Sequence, residues 1–206
     1  RRASYRGRAY VVEPDASAAS YPFALAAATG GSITVPDLAP GALQGDYGFV
    51  DVLAKMGARV THSGGATTVV GPERLAGIDV DMHDISDTVM SLAAIAPLAE
   101  GATHIRNVAN IRIKETDRLA AVVAELARLG QGVTEAPDSL LIEPRPLRPA
   151  VVQTYKDHRM AMSFAVLGMA AGGVSVEDPA AVAKTYPDFW QDVAACYRAA
   201  GKNPPW

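Results

Sequence analysis

The sequence predicts an α/β fold: one domain of three βαβαββ-type repeats with pseudo-threefold symmetry, helices buried inside and sheets outside. Three observations carry this expectation. Gly-led strands start at Gly30, Gly101 and Gly172, reading "GGSITVPD", "GATHIRNV" and "GGVSVEDP", and the starts are 71 residues apart in both intervals. Each strand follows an Ala-rich helix, over residues 15–29, 87–100 and 157–171. Each precedes a second helix that ends in Gly: "FVDVLAKMG", "LAAVVAELARLG" and "FWQDVAACYRAAG". Self-similarity at a fixed period marks a repeated supersecondary unit and so dictates the architecture.

The elements follow in order, with repeats over about 9–72, 77–144 and 150–206 of a single domain, 1–206. The first helix of a unit is apolar nearly all round, as in "VMSLAAIAPLA" and "MAMSFAVLGMAA", which is the pattern of a helix buried on most sides. The second is amphipathic: Leu119, Val122, Val123, Leu126 and Leu129 keep the helical spacing of one buried face. Paired strands close the first two units, "ARVTHSG" with "TTVVGP" and "GQGVTEA" with "SLLIEP". The third stops at "AAGKNPPW" without such a pair and is expected to be incomplete. The Pro-rich "EPRPLRPAVV" is a connection between units.

Composition narrows the function classes. Apolar residues make up 49% and charged residues 20% of the 206, enough to build a core. The net charge of −3 and the lack of a long basic run argue against nucleic-acid binding. One cysteine excludes an intramolecular disulfide framework and favours a reducing, cytoplasmic compartment. The longest apolar run, Val89 to Ala99, is too short to span a bilayer. The first residue is Arg1 rather than an initiator Met, which suggests a fragment or a processed chain. Four histidines and one cysteine show no metal-ligand spacing, and no phosphate-binding glycine loop precedes a helix; no cofactor is expected.

The candidate site lies at cationic helix starts. A helix over 114–130 would open with Lys114, Glu115 and Arg118, although cations in a first turn oppose the helix dipole. Lys114 and Arg118 either hold a bound phosphate or carboxylate, or reach into water. Glu115 falls in line with Leu119 and Val122 on a wheel of about 100° per residue. It is either a first-turn acid paired with Arg118 or a functional carboxylate at the mouth of the buried face. "YKDHRMAM" places Asp157, His158 and Arg159 at another helix start, and "AKTYPDFW" places Lys184 at a third. If the units pack around one axis, these starts face one cleft and predict a polyanionic small substrate. Asp87 in "ISDTVM" is a candidate base, with an N-cap role for Ser86 or Asp87 as the structural alternative.

"EPDASAASY", "QGDYGFVDVLAKMGA", "IKETDRL", "YKDHRMAM" and "AKTYPDFW" together closely resemble the C-terminal part of the bacterial 5-enolpyruvylshikimate-3-phosphate synthases, in order and over essentially the whole chain. The resemblance implies transfer of an enolpyruvyl group from phosphoenolpyruvate to the 5-hydroxyl of shikimate 3-phosphate, without metal or organic cofactor. It implies Asp87 as base, Asn110 and Lys114 as contacts to shikimate 3-phosphate, and Arg118, Arg159 and Lys184 as phosphoenolpyruvate-binding cations. Glu115 then exchanges a proton with the methylene carbon, and His158 lines the same catalytic site. The family chain is roughly twice as long, so the resemblance also implies an N-terminal partner domain and an inactive chain in its absence. Two alternatives stand beside it: a transferase acting on UDP-N-acetylglucosamine, and a non-catalytic anion-binding domain.

Overall fold

The computed structural model describes residues 4–205. Residues 4–15 have no regular structure, and Tyr10, Val11 and Val12 lie exposed. The leading strand that the repeat scheme asks of its first unit is therefore not formed: these residues join no sheet edge. Regular structure starts at α1 (Ala16–Thr29), where the Asp15 side chain accepts from Ala18 N at 2.9 Å. The helix ends on Gly30 at φ 67°, a left-handed cap that favours glycine. Next come β1 (Ser32–Val35), a 3₁₀ turn over Gly45–Gly48, α2 (Phe49–Lys55), β2 (Arg59–Ser63) and β3 (Ala66–Val70). These strands form an antiparallel sheet in the order β1-β3-β2. Gly71 then passes so close to α1 that a Cβ would sit 2.2 Å from the Ala26 carbonyl oxygen.

The middle of the chain contains β4 (Leu75–Ala76), β5 (Asp79–Asp81), α3 (Val89–Ile95), β6 (Ala99–Glu100), β7 (Thr103–Arg106), α4 (Arg118–Arg128), β8 (Gly132–Glu135) and β9 (Leu140–Glu143). Its main sheet has the order β5-β7-β9-β8, with β5 and β7 parallel and the other pairs antiparallel. β4 pairs with β6 in parallel. The last third carries β10 (Ala150–Val152), α5 (His158–Ala171), β11 (Val174–Val176), a 3₁₀ turn over Pro179–Lys184 and α6 (Phe189–Ala199), with β10 and β11 parallel. Among the described residues no strand pair follows α6.

The core forms where α1, α3 and α5 pack on one another. Every residue of α3 is buried, as the all-apolar pattern requires. The Ser20 and Ser91 hydroxyls meet there at 2.8 Å, which satisfies two buried polar groups between α1 and α3.

Several helix boundaries differ from the sequence reading, and each difference bears on the site. α4 starts at Arg118, not at 114, because the Asp117 side chain caps it through Ala120 N at 3.0 Å. Lys114, at φ −94° and ψ −146°, is not helical. The helix expected over 87–100 shrinks to α3, with 3₁₀ turns over His83–Thr88 and Ala96–Leu98 on either side. Neither Ser86 nor Asp87 is its N-cap; Thr88 holds that position without a side-chain bond. Lys184 closes a 3₁₀ turn and does not open α6. Thr185 at φ −131° ends the turn, and Pro187 disfavours helix at the residue before it.

Candidate active site

Arg118, the first residue of α4, is 1% exposed and organises the site. Its Nε donates to Asp157 Oδ2 at 2.7 Å. One terminal nitrogen donates to Asp87 Oδ1 at 3.1 Å, and the other to Glu115 Oε2 at 2.6 Å. A guanidinium cannot shed its charge, and its planar fork of donors suits several carboxylates at once. Arg118 is therefore paired within the protein and does not reach into water, whereas Lys114 stays partly exposed. Three carboxylates of the protein surround the guanidinium at the helix start.

Three further cations complete this network. Arg159, in the first turn of α5, donates to Asp87 Oδ2 at 2.8 Å and to the Tyr21 hydroxyl at 3.3 Å. Lys184 Nζ donates to Glu115 Oε1 at 2.7 Å. Lys114 Nζ stands 3.6 Å from Asp87 Oδ1, a charge contact longer than a hydrogen bond. Asp87 thus faces three cations and Glu115 two. Burial alone would raise the Glu115 carboxyl; the Lys184 hydrogen bond, its own backbone N–H and the charges of Arg118 and Lys184 outweigh that and bring it to about 2. Glu115 is ionised at neutral pH and accepts rather than donates protons there.

Asp157 has two tasks. It is fully buried, it holds Arg118, and as N-cap of α5 it accepts from Arg159 N at 2.8 Å. His158 is 2% exposed and neither ring nitrogen has a hydrogen-bond partner. Burial, reinforced by the Arg159 charge, pushes its pKa below the usual imidazole value against the pull of Asp157 and Glu115. The ring is thus held toward its neutral form, with neither nitrogen hydrogen-bonded. Asn110 donates to Ser86 Oγ at 3.0 Å, and its Oδ1 is buried without a partner.

The loop before α4 is held by Arg112. It donates to Pro137 O at 2.8 Å, to Asp117 Oδ2 at 3.0 Å and to Glu135 Oε1 at 2.7 Å. Before α5, Tyr155 and Lys156 both have positive φ, 55° and 57°, an unfavourable conformation for non-glycine residues. The turn is tied to α4 because the Tyr155 hydroxyl donates to the buried Glu125 at 2.8 Å. The sequence reading did not assign Tyr21, Glu125, Tyr155 or Asp46, and Asp157 entered it only as a helix start. Asp46 accepts from the Ser17 hydroxyl, and burial, with nearby Asp87, pushes its pKa up. Tyr21 and Asp46 do lie within the quoted stretches "EPDASAASY" and "QGDYGFVDVLAKMGA", the one signal that could have found them.

All eight residues read as site candidates lie in this constellation: Asp87, Glu115, Arg118, Arg159 and Lys184 share direct bonds, Lys114 contacts Asp87, His158 contacts Asp157, and Asn110 joins through Ser86. Among the described residues no group of three His, Cys, Asp or Glu side chains is arranged to hold a metal ion. The carboxylates that converge here enclose a guanidinium.

The profile of EPSP synthase (3-phosphoshikimate 1-carboxyvinyltransferase) matches residues 2–193. The chain belongs to the EPSP synthase family. A 3-phosphoshikimate 1-carboxyvinyltransferase of Nostoc punctiforme is 54% identical over 186 residues, covering 90% of this chain and 44% of that protein. One from Methanosphaerula palustris is 47% identical over 193 residues, covering 94% of this chain and 46% of the relative. The chain thus spans less than half the length of the curated relatives it matches. The solved EPSP synthase of Acinetobacter baumannii superposes with a TM-score of 0.74 at 24% identity, over 87% of this chain and 45% of that one. An enolpyruvyl transferase of Streptomyces tendae gives 0.69 at 20% identity, over 89% and 43%. Both likenesses establish a mixed α/β fold of this type. Among the described residues no helix is long and apolar enough to cross a membrane.

Proposed function

We propose that this chain is one domain of a two-domain, cytoplasmic enzyme that transfers the enolpyruvyl group of phosphoenolpyruvate to the 5-hydroxyl of shikimate 3-phosphate. The observation that carries the reading is the ion-pair network itself. Three cations suited to phosphate and carboxylate, Arg118, Arg159 and Lys184, are threaded through the two carboxylates that the chemistry needs, Asp87 and Glu115. Phosphoenolpyruvate binds Arg118, Arg159 and Lys184 through its phosphate and carboxylate. Shikimate 3-phosphate binds Asn110, Lys114 and Asp87, and the unspent Asn110 Oδ1 supports a ligand at that position.

The chemistry is an addition followed by an elimination. Asp87 removes the proton of the 5-hydroxyl as its oxygen attacks C2 of phosphoenolpyruvate, while C3 takes up a proton and becomes a methyl group. The tetrahedral adduct then loses inorganic phosphate as one methyl proton departs, leaving the enolpyruvyl ether. Glu115 is the group that exchanges the C3 proton, with the neutral His158 beside it in the same site. Its cations, with its own backbone N–H, hold Glu115 at about 2 against the effect of burial. An anion that draws Lys184 and Arg118 away raises its proton affinity toward the range that proton exchange requires. The cations meanwhile stabilise the departing phosphate.

The same reading includes the finer architecture: three units about a pseudo-threefold axis, with a separate N-terminal domain facing this one. Ser20 and Ser91, bonded between α1 and α3, are 71 residues apart, the spacing of the Gly-led strands. The relatives' greater length supports the second domain.

Phosphate release from phosphoenolpyruvate and shikimate 3-phosphate tests the proposal, with the chain alone and with the N-terminal half of a relative added. Turnover on mixing that vanishes in Asp87→Ala and Glu115→Gln supports it. A folded, associated mixture that releases phosphate only with UDP-N-acetylglucosamine, or not at all, overturns it.

A further inference from the structure

The proposed mechanism does not use Tyr21, yet this residue is built into the site more firmly than several that it does use. Its side chain is 1% exposed, in the middle of a largely apolar helix. A buried hydroxyl without a partner is costly, and this one accepts from Arg159 at 3.3 Å across 138 residues of sequence. The ring stands edge-on to Phe189, centroids 6.1 Å apart at 85°. Phe189 in turn packs edge-on against Tyr186 and Trp190, at 5.6 and 5.0 Å. Tyr21 therefore has its oxygen on one proposed anion-binding cation, Arg159, and its ring on the aromatic cluster that follows another, Lys184.

The two anchors of Arg159 differ in kind. One terminal nitrogen is held by Asp87 and the other by Tyr21. In the proposed reaction Asp87 must turn to the substrate hydroxyl, and an incoming anion competes with it for the same guanidinium. The Tyr21 hydroxyl is the anchor that survives this exchange. Burial holds the phenol at about 12, so it stays neutral through the working pH range and does not compete with an anion for the cation.

We infer that Tyr21 is a positioning residue: it fixes the plane of the Arg159 guanidinium so that the cation still faces the bound anion once Asp87 has let go. The inference rests on the reading of Arg159 as an anion-binding residue.

Tyr21→Phe removes the oxygen and keeps the ring against Phe189. The first readout is rotation of the Arg159 guanidinium about its Nε–Cζ bond, followed by nitrogen NMR and assigned by loss of the signal in Arg159→Lys. The second is the affinity for phosphoenolpyruvate by calorimetry, and thermal unfolding runs alongside. The expected result is faster rotation and phosphoenolpyruvate binding weaker by about tenfold or more, as for loss of a hydrogen bond to a charged group, with little change in the unfolding temperature. Unchanged rotation and unchanged affinity overturn the inference, as does a loss of affinity matched by general unfolding. A wild-type chain that binds no phosphoenolpyruvate even when folded and associated with the N-terminal half of a relative overturns the functional reading, while the rotation rate still decides whether Tyr21 holds Arg159.

Discussion

Arg118→Met separates the cation from its carboxylates with little loss of side-chain volume. Three carboxylates lose a partner, but not equally. Asp87 and Glu115 are each 30% exposed and keep Arg159 and Lys184. Asp157 is 0% exposed and keeps only weak compensation, the N-cap bond from Arg159 N and a 3.7 Å approach of the His158 ring. The cost therefore concentrates on one uncompensated buried charge, about 3–5 kcal/mol. For a chain of this size that lowers the unfolding temperature by roughly 6–20 °C, at about 2–4 °C per kcal/mol. Calorimetric unfolding at pH 7 is the assay, with Arg118→Met/Asp157→Asn as the internal control. The double variant removes the stranded charge and keeps a capping side chain, so it recovers more than half of the loss. A single variant within about 1 kcal/mol of wild type would refute the reasoning. So would a double variant no better than the single, since either result means Asp157 does not depend on Arg118.

Three other expectations come from the same geometry. In a carbon-detected NMR titration the Glu115 carboxyl should titrate near about 2, and in Lys184→Met the midpoint should rise toward the ordinary glutamate value; because the folded value is depressed, its contribution to stability is complete above the unfolded value of 4.5 and fades as pH falls toward 2. The His158 ring should stay neutral at pH 7 and show neutral-imidazole nitrogen shifts below 6.5, and since only the unfolded state then takes up the proton, His158 lowers stability as pH falls through that value. Glu125→Ala removes the acceptor of Tyr155 OH and Gln153 N in a fully buried position and should cost about 2–3 kcal/mol in urea unfolding; a loss below about 0.5 kcal/mol would mean that the turn before α5 does not need this tie.

Much of this molecule was legible because hydrophobic periodicity is a local signal. α1 and α5 end where their apolar runs end, and Asp15 and Asp157 cap them as short polar residues before an apolar helix should. Arg118 and Arg159 were legible for another reason: cations in the first turn of a helix ask for counter-charges. What stayed hidden is what depends on distance in sequence. That Lys114 and Glu115 lie outside α4 follows from an Asp117 cap that competes with an equally plausible earlier start. That the anion demanded by Arg118 comes from Asp157 follows from a contact across 39 residues, and no helical wheel contains it. The exposed stretch at Tyr10–Val12 carries strand-forming residues, and side-chain preference alone does not supply a neighbouring strand.

The mutual pairing of charges has a consequence for the speed of encounter. Lys114, Arg118, Arg159 and Lys184 set four positive charges against the three negative ones of Asp87, Glu115 and Asp157, all within one connected network. From beyond a Debye length, roughly 8 Å at physiological salt, these seven groups present the field of about a single charge rather than four. In the proposed binding, a polyanion approaching these groups is therefore steered only weakly by them and arrives at the pace of ordinary oriented collision, about 10⁵–10⁷ per molar per second. On the same proposal, the full attraction is released only after arrival, once the ligand's own oxygens displace the carboxylates. Ionic strength should then act mainly on how long the ligand stays, and little on how often it comes.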